Sequence, residues 1–471
     1  MRTGDRLTVH LSLQRGTAEQ LPHQLVAQLV RAIRQGVLPP GGRLPSTRDM
    51  ARMLGVSRGV VLAAYELLLA QGYVEGRPGS GTYVRRINVE VGRKTAAGVA
   101  AIPPISTPAT SARAGSVPAP ALPADAFPLA AWRAAWREAS YRPPAGEAAH
   151  LGSPALREAI AGHLHRTRGI LVDPADVAVT VGLRQACWLL FEAIAVRDGG
   201  PATVAVEQPA PAYPAVAARQ VGWRIEALPV DDHGALVGRL ARPTGPRCAL
   251  VFAEGNHPLG TVLSAARRRE LLSWSDRTGG YVVDVCSERD GIGTGLPLPA
   301  LYGGDRVAVV GVLGDALVPH GLSYLVMPRV LGPVIAGLAG HDDAHVDSTT
   351  QAAFTRLLRD GTLARRGARV ARVYARRREE LRAVGCALPR PARLLVGSRG
   401  PFATIRLPRQ VVQPVTTQLA ALGVRAAPLA GLYQVDPEAA PAGLVLDVGQ
   451  LADKKVCRAV RTFESVLTYP G

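Results

Sequence analysis

Residues 39–58 read PPGGRLPSTRDMARMLGVSR and hold the strongest structural signal in the 471-residue chain. Ser46, with Asp49 three residues later, has the spacing of a capping box that starts a helix. Gly55 is typical of the position just past a helix end, and Ser57 is placed to cap a second helix. Two short helices around a glycine-containing turn form a helix-turn-helix.

The residues that follow predict the second helix and then a β-hairpin. Apolar residues recur at helical spacing from 60 to 68, and the pattern stops at Gly72. Runs at 73–75 and 82–85 flank the sequence RPGSG, which predicts a two-stranded wing. An arginine at a helix N-terminus can reach a guanine edge or a phosphate, and the backbone N–H groups there favour phosphate. The segment therefore predicts a DNA-binding head.

Residues 21–84 resemble the winged-helix domain of the GntR family of bacterial transcription regulators. The resemblance includes a first helix with Leu25, Leu29 and Ile33 on one face. It implies a double-stranded DNA operator as partner, contacted by Arg48, by Ser57 and Arg58 at the start of the recognition helix, and by Gly79 at the wing tip. The alternative structural interpretation is an ordinary helical hairpin with a glycine turn.

Length and composition limit the class of protein. A chain of 471 residues predicts two or three domains, and a net charge of +18 favours a polyanionic partner. No signal peptide is evident at Met1 and no apolar run is long enough for a membrane span, so we expect a cytoplasmic protein without a membrane partner. The cysteines show no CxxC pair, which predicts reduced, mostly buried thiols and no disulfide framework or metal site: Cys187, Cys248, Cys286, Cys386 and Cys457.

Composition shifts divide the chain into three parts. We expect a winged helix-turn-helix at 1–86, an Ala/Pro-rich linker at 87–124 and a large domain at 125–471. Within the last part we expect a large sheet domain at about 170–340 and a small C-terminal domain at about 350–471. The linker region is too poor in large apolar residues to fold by itself, and an irregular subdomain is the alternative.

The large domain alternates short apolar runs with helical patterns. Apolar strands that alternate with helices predict an α/β fold with a mostly parallel sheet covered on both faces. The predicted strands are at 177–181, 202–207, 249–253, 281–285 and 307–311, with helices from Arg184, from Tyr213 and at 265–277, and a final helix at 452–467.

Residues from about 126 to 467 resemble fold-type-I aminotransferases as they occur in the MocR-like subfamily of GntR regulators. The motifs that carry the resemblance are AFPLAAW at 126–132, GSPALREAI at 152–160, TVGLRQA at 180–186, PLG at 258–260 and YLVMP at 324–328. The resemblance implies a homodimer in which this domain binds pyridoxal phosphate as an effector-sensing group and is coupled to DNA binding.

A pyridoxal phosphate site needs a lysine for the Schiff base, a carboxylate for the pyridinium nitrogen, and cations for the phosphate and the substrate carboxylate. The position that the family gives to the lysine falls on Asp315. The chain has only three lysines, Lys94, Lys454 and Lys455, and none lies in the sheet domain. The arginines that the family places near Leu322 and Val445 are also missing.

Two positions match the family's cofactor contacts. Asp284, on the strand predicted at 281–285, matches the pyridinium-binding carboxylate, and Tyr213 matches the ring-stacking aromatic. Both are vestigial contacts in this interpretation, and the alternative for Asp284 is a strand-end acid satisfied by a neighbouring helix end. A carboxylate at 315 would repel the phosphate, because like charges about 4 Å apart at an effective dielectric constant of about 20 cost about 4 kcal/mol.

Three functional interpretations follow. The preferred one is a DNA-binding regulator, not an enzyme, whose aminotransferase-like domain has no covalently bound cofactor and serves dimerisation, with sensing of an unknown small-molecule effector as a further role. The second is a regulator that still binds pyridoxal phosphate non-covalently. The third is a working aminotransferase with a fused head, and the lysine that it requires is absent from the expected position.

Overall fold

The computed structural model describes residues 9, 11–14, 16, 20–77, 80–85, 121–122, 127–141, 149–287, 298, 305–315, 317, 322–385 and 390–450. The chain forms two compact units, Met1–Ala109 and Thr110–Gly471, here named the head unit and the main unit. Within the described residues no helix is by itself long and apolar enough to cross a membrane. Two helices of the head unit reach that length and composition only when they are taken together across their bend.

The head unit is a helix-turn-helix with a wing. Its elements are α1 (Leu21–Arg34), α2 (Thr47–Leu54), α3 (Arg58–Ala70), β1 (Val74–Arg77) and β2 (Gly81–Val84). The chain bends by 120° between α2 and α3, as in helix-turn-helix motifs. One apolar core joins the three helices to the hairpin, with Leu25, Leu29, Met50, Val61 and Leu68 fully buried. This confirms the predicted winged helix-turn-helix.

The two predicted helix caps differ. The Ser46 hydroxyl accepts the Asp49 N–H at 3.2 Å and donates to the Asp49 carboxylate at 2.6 Å, so the side-chain cap of α2 forms. Gly55 ends α2 in the left-handed region, with φ of 63°. The predicted Ser57 side-chain cap is wrong, because the Ser57 side chain makes no capping hydrogen bond. The Val60 N–H that it would cap donates instead to the Ser57 carbonyl oxygen at 3.1 Å.

The wing is longer on one side than its sequence predicts. Strand β1 continues to Arg77, two residues past the predicted run at 73–75, and Arg77 pairs with Gly81. The segment before α2 also joins the wing. The Gly41 and Leu44 N–H groups donate to carbonyl oxygens of β2, and Arg43 bridges to Tyr83. This pairing holds the start of the helix-turn-helix against the wing.

The main unit contains an eight-stranded sheet. Its strands are β3 (Val177–Thr180), β4 (Thr203–Gln208), β5 (Arg224–Asp231), β6 (Gly234–Ala235), β7 (Cys248–Val251), β8 (Tyr281–Ser287), β9 (Val307–Leu313) and β10 (Leu322–Val326), in the order β3-β10-β9-β8-β7-β4-β5-β6. Strands β9, β8, β7, β4 and β5 are parallel to one another, and β6 is antiparallel to β5. Strand β10 is antiparallel to both β3 and β9, and the sequence pattern does not predict it. The mostly parallel α/β fold is confirmed.

Helices cover both faces of this sheet. The helices are α4 (Leu129–Ser140), α5 (Pro154–Arg168), α6 (Leu183–Asp198), α7 (Tyr213–Gln220), α8 (Ala265–Thr278), α9 (Gly332–Gly340) and α10 (Ser348–Arg359). Residues of α6, α7 and α9 share a core with one set of alternating strand residues, and residues of α5, α8 and α10 share cores with the other set. Near-continuous apolar strands are therefore buried on both sides.

A second, four-stranded sheet lies at the C-terminal end of the described residues. It contains β11 (Arg393–Leu395), β12 (Phe402–Arg406), β13 (Ala426–Pro428) and β14 (Gly443–Asp447) in the order β11-β12-β14-β13. It is preceded by α11 (Thr362–Gly385), and α12 (Arg409–Ala421) packs on it. Helix α10 lies within the segment expected to form the small domain, yet its apolar side chains belong to the large-sheet core. The helix predicted at 452–467 lies outside the described residues.

The predicted linker is described at only two residues. Ala121 donates its N–H to Asp447 at 2.7 Å, and its carbonyl oxygen accepts from the Tyr374 hydroxyl at 3.2 Å. Leu122 packs beside Val370 and Tyr374. Residues 121 and 122 therefore already pack against the aminotransferase-like part of the main unit. The domain boundaries drawn from the sequence stay predictions.

Candidate functional site

The helix-turn-helix presents basic side chains at the start of both of its helices. Arg48 lies in the first turn of α2 and Arg58 is the first residue of α3, and both side chains are exposed, as is Ser57. The Arg58 Nε donates to the Thr47 hydroxyl at 3.3 Å, so this arginine bridges the first residues of α2 and α3. Gly79, the fourth predicted DNA contact, lies outside the described residues.

The charge around this surface suits DNA. Residues 20–85 contain eight arginines and three acidic residues, so this segment carries 8 − 3 = +5. In the wing, Arg77 lies over the Tyr83 ring at 4.5 Å and pairs with Glu75 at 2.9 Å. Of the first-turn N–H groups of α3, that of Val60 donates to the Ser57 carbonyl oxygen. Those of Arg58 and Gly59 have no side-chain cap among the described residues and can reach a phosphate.

A second cluster of polar residues lies at the carboxyl ends of the parallel strands of the main unit. Asp284 lies on β8, between Val251 of β7 and Val309 of β9, and is fully buried. Its Oδ1 accepts the Ala253 N–H at 3.2 Å, and its Oδ2 has no hydrogen-bond donor among the described residues. Burial, together with the nearby Glu254 charge, raises the pKa of Asp284 to about 7.

Glu207, at the end of β4, is a second buried carboxyl group of this cluster. It accepts hydrogen bonds from the Asn256 side chain at 2.7 Å and from the Phe252 N–H at 3.1 Å. The Asn256 amide also donates to the Pro209 carbonyl oxygen at 3.1 Å, so it ties the loop after β4 to the loop after β7. Burial raises the pKa of Glu207 to about 7, although both hydrogen bonds oppose that shift.

A buried ion pair completes the cluster. Arg268 of α8 lies 2.9 Å from Glu254, and each side chain is only 5% exposed. The guanidinium also donates to the carbonyl oxygens of Leu263 and Ala253. The Arg268 charge favours ionised Asp284, but burial outweighs it, and burial is also the main cause at Glu207, so both ionised forms stay unfavourable.

Asp315 follows β9 at the same edge of the sheet. It is 6% exposed, and its carboxylate accepts the Ser287 hydroxyl, at the end of β8, at 2.6 Å. The turn before it needs Gly314, whose φ is 69° and where an added Cβ would lie 2.9 Å from the Phe354 ring. The residue at the predicted lysine position is therefore a buried carboxyl group.

The structure places the remaining predicted positions as follows. Tyr213 is the first residue of α7, after β4, and packs half-buried against the core below α6 and α7. Tyr213 follows β4, and Asp284 lies on β8, at the sheet edge formed by the carboxyl ends of the parallel strands. Val445, at the position of the missing substrate arginine, is 1% exposed in an apolar cluster with Phe402 and Leu429.

Sequence reasoning missed Glu207, Asn256 and the Glu254–Arg268 pair. A signal exists for Glu207, because it is an acidic residue directly after the apolar strand residues VAV at 204–206. Arg268 gives no such signal, since it is the middle arginine of RRR at 267–269 and only the fold buries it. Of the cysteines predicted to be buried, Cys187, Cys248 and Cys286 are buried, and the other two lie outside the described residues.

Comparison with known proteins agrees with this architecture. Residues 21–84 match the family model described as bacterial regulatory proteins, gntR family. The HTH-type pyridoxine biosynthesis transcriptional regulator PdxR of Corynebacterium glutamicum is 32% identical over 368 residues, which cover 76% of this chain and 77% of that protein. The probable rhizopine catabolism regulatory protein MocR of Rhizobium meliloti is 30% identical over 387 residues, covering 78% of each chain.

Solved structures match the main part of the chain in fold. An archaeal alanine:glyoxylate aminotransferase has a TM-score of 0.66 at 19% identity, over 74% of this chain and 89% of that one. Aspartate aminotransferase from Thermus thermophilus with maleate has a TM-score of 0.60 at 20% identity, over 75% and 90%. The chain is thus a DNA-binding transcription regulator that belongs to the GntR family of bacterial regulatory proteins, as one of its MocR-like members with a winged helix-turn-helix and an aminotransferase-like domain.

Proposed function

We propose that this regulator reads its operator through Arg58 and Arg48, and that its aminotransferase-like domain has lost Schiff-base chemistry and serves dimerisation. In this proposal the protein is not an enzyme and acts in the cytoplasm. The observation that carries the proposal is the buried carboxyl group of Asp315 at the lysine position, hydrogen-bonded to Ser287 at 2.6 Å. The described residues include no lysine that could replace it.

The residues present fit pyridoxal phosphate only in part. Asp284 offers a buried carboxyl oxygen without a hydrogen-bond donor among the described residues, as a pyridinium N–H requires. The covalent partner is missing, and the arginines expected near Leu322 and Val445 are replaced by buried apolar side chains. The donor set therefore supports no covalent attachment of the cofactor.

Non-covalent binding of pyridoxal phosphate as an effector is the second candidate. The observation in its favour is the open Oδ2 of Asp284, since a buried acceptor gains from a donor that a ligand brings. The N-terminal end of α6 supports it less, because the Val181 N–H already donates to the Gln185 side chain at 2.7 Å. A different small molecule with an N–H donor would satisfy Asp284 equally well.

The proposal includes a homodimer formed by residues 125–471, which rests on the family resemblance. A dimer brings two head units to one operator, and two-fold related half-sites lie about one helical turn of DNA, or about 34 Å, apart or at multiples of that distance. The Ala/Pro-rich segment at 87–124 would then set how far the two heads can separate.

Binding to an operator selected in vitro tests the DNA-reading part. Arg58→Ala should cost about 1–3 kcal/mol on the selected operator and relax base preference, because an arginine at this place can contact a guanine bidentately. Arg48→Ala should weaken binding to selected and random DNA alike and lower the salt slope by about 1.

The matched control is Arg31→Ala, which removes an exposed arginine from α1. We expect it to change affinity much less than either of the two other substitutions. Equal effects of all three substitutions on both DNAs would show that net charge, and not these two side chains, determines binding.

A further inference from the structure

A cavity in the main unit is lined by four arginines. It has a volume of about 420 Å³ and lies between the start of α4 and the first half of α11. Pro128, Ala131 and Ala368 form apolar parts of its wall, and Thr362 adds a hydroxyl group. The arginines are Arg365, Arg366, Arg369 and Arg372. This volume is that of a pocket for a metabolite-sized molecule.

Helix geometry explains why these arginines converge. Arg365, Arg369 and Arg372 follow the i, i+4, i+7 spacing, which puts them on one face of α11 over a length of about 10 Å. Arg366 is 4% exposed, so its charge is held inside the fold instead of in solvent. The cavity thus combines one buried guanidinium group with three at the surface.

The arginines in the later part of α11 have acidic partners, whereas two of the arginines that line the cavity have none in the described structure. Residues 362–378 contain seven arginines and no acidic residue. Later on the helix, Arg376 pairs with Glu380 at 2.8 Å, and Arg382 pairs with Glu379. In contrast, the described structure gives Arg369 and Arg372 no ion pair and no hydrogen bond.

Arg365 is held in place by neutral groups. It donates to the Asp360 carbonyl oxygen at 2.9 Å and to the Thr362 hydroxyl at 3.4 Å. Like charges that converge on one cavity repel one another, and an anion placed among them removes that repulsion. The arrangement therefore favours a ligand with at least two negative charges.

We propose that this arginine cavity binds phosphate groups. The planar guanidinium group donates two parallel hydrogen bonds to phosphate oxygens, and arginine suits such sites better than lysine. Two sources supply this chemistry: a small phosphorylated molecule, whose apolar part would contact Pro128, Ala131 and Ala368, and the phosphodiester backbone of DNA. The site lies outside the cluster around Asp284, so it does not depend on that cluster.

Calorimetric titration of the full chain with pyrophosphate at constant ionic strength tests the proposal. We expect the double variant Arg369→Gln/Arg372→Gln to bind pyrophosphate at least tenfold more weakly than the wild type. The control is Arg277→Gln, which removes an exposed arginine from α8 that is bonded to Ser273 and does not line the cavity. It should bind like the wild type. No binding to the wild type, or equal weakening in both variants, would overturn the proposal.

DNA binding across a salt series separates the two sources. If the ligand is DNA, the double variant should lower the slope of log affinity against log salt by about 1.8, which is about 0.9 for each lost phosphate contact. If the slope is unchanged while pyrophosphate binding is weakened, the ligand is a small phosphorylated molecule. The charge-retaining variant Arg369→Lys/Arg372→Lys should keep part of the pyrophosphate affinity. Because the pyrophosphate titration contains no DNA, its failure is distinct from failure of operator reading by Arg58 and Arg48.

Discussion

Asp284 and Glu207 have a carboxyl pKa that their residue type does not suggest, and burial is the main cause. Both carboxyl groups lie at the ends of central strands, and burial raises the pKa of each to about 7, far above the ordinary values of 3.8 and 4.5. Between these limits the folded protein keeps both groups protonated while the unfolded chain ionises them. Folding therefore takes up protons in this range, and stability falls as the pH rises from about 4 to about 7.

Asp284→Asn should reduce this fall in stability. One pKa unit corresponds to about 1.4 kcal/mol, so the substitution should remove on the order of a few kcal/mol from the pH-dependent change in unfolding free energy. All five tryptophans lie between residues 132 and 274, so urea unfolding followed by tryptophan fluorescence at pH 5 to 8 reports on the main unit. Asp232→Asn, at an exposed position, is the control and should keep the wild-type pH dependence. A wild-type-like slope in Asp284→Asn would show that Asp284 is ionised in the folded protein.

The sequence identifies some residues of this site and not others. Asp284 and Asp315 can be assigned to cofactor positions from the sequence, because the motifs around them resemble those of the family. The groups around Asp284 cannot be identified in this way. The Ala253 N–H and the Glu254–Arg268 pair lie near Asp284 only because of the strand order and the packing of α8. Sequence gives the type of a charged residue, whereas its burial depends on elements distant in the chain.

At the scale of elements, the two serines of the helix-turn-helix make a direct comparison. Ser46 caps α2 through its side chain, and Ser57 at the start of α3 does not. Ser46→Ala should cost about 1 kcal/mol and lower the hydrogen-exchange protection of α2 amides about fivefold. Ser57→Ala should leave the protection of α3 nearly unchanged. The reverse order of effects would contradict these cap assignments.

Secondary structure followed the sequence wherever local chemistry dominates. The Ser46 side-chain cap, the turn at Gly55 and the strand-helix alternation of the main unit all lie close to their predicted bounds. Strand β10 was missed as a strand because LSYLV is a short apolar run that periodicity alone cannot distinguish from a buried helix. The pairing of residues 41–44 with the wing was missed because it depends on tertiary contacts.

For the whole molecule, we predict a homodimer held together by residues 125–471. Sedimentation equilibrium of the full chain at micromolar concentration should give twice the 49.5 kDa chain mass. A fragment that starts at residue 119 keeps the contacts of Ala121 with Asp447 and Tyr374 and should also be dimeric. The wild-type head alone, residues 1–86, should be monomeric. A monomeric full chain would remove the dimerisation role proposed for the aminotransferase-like domain.

We propose that this DNA-binding regulator carries an aminotransferase-like domain that forms no covalent bond with pyridoxal phosphate. Reduction of the purified chain with borohydride in the presence of pyridoxal phosphate, followed by peptide mapping of the mass adduct, tests this proposal. We predict no fold-dependent stoichiometric adduct on the wild type. For Asp315→Lys we predict at most slow, partial labelling and no amino-acid-dependent spectral change, because the phosphate and substrate cations stay missing. A stoichiometric adduct on native wild type at Lys94, Lys454 or Lys455, lost on unfolding, would contradict this proposal.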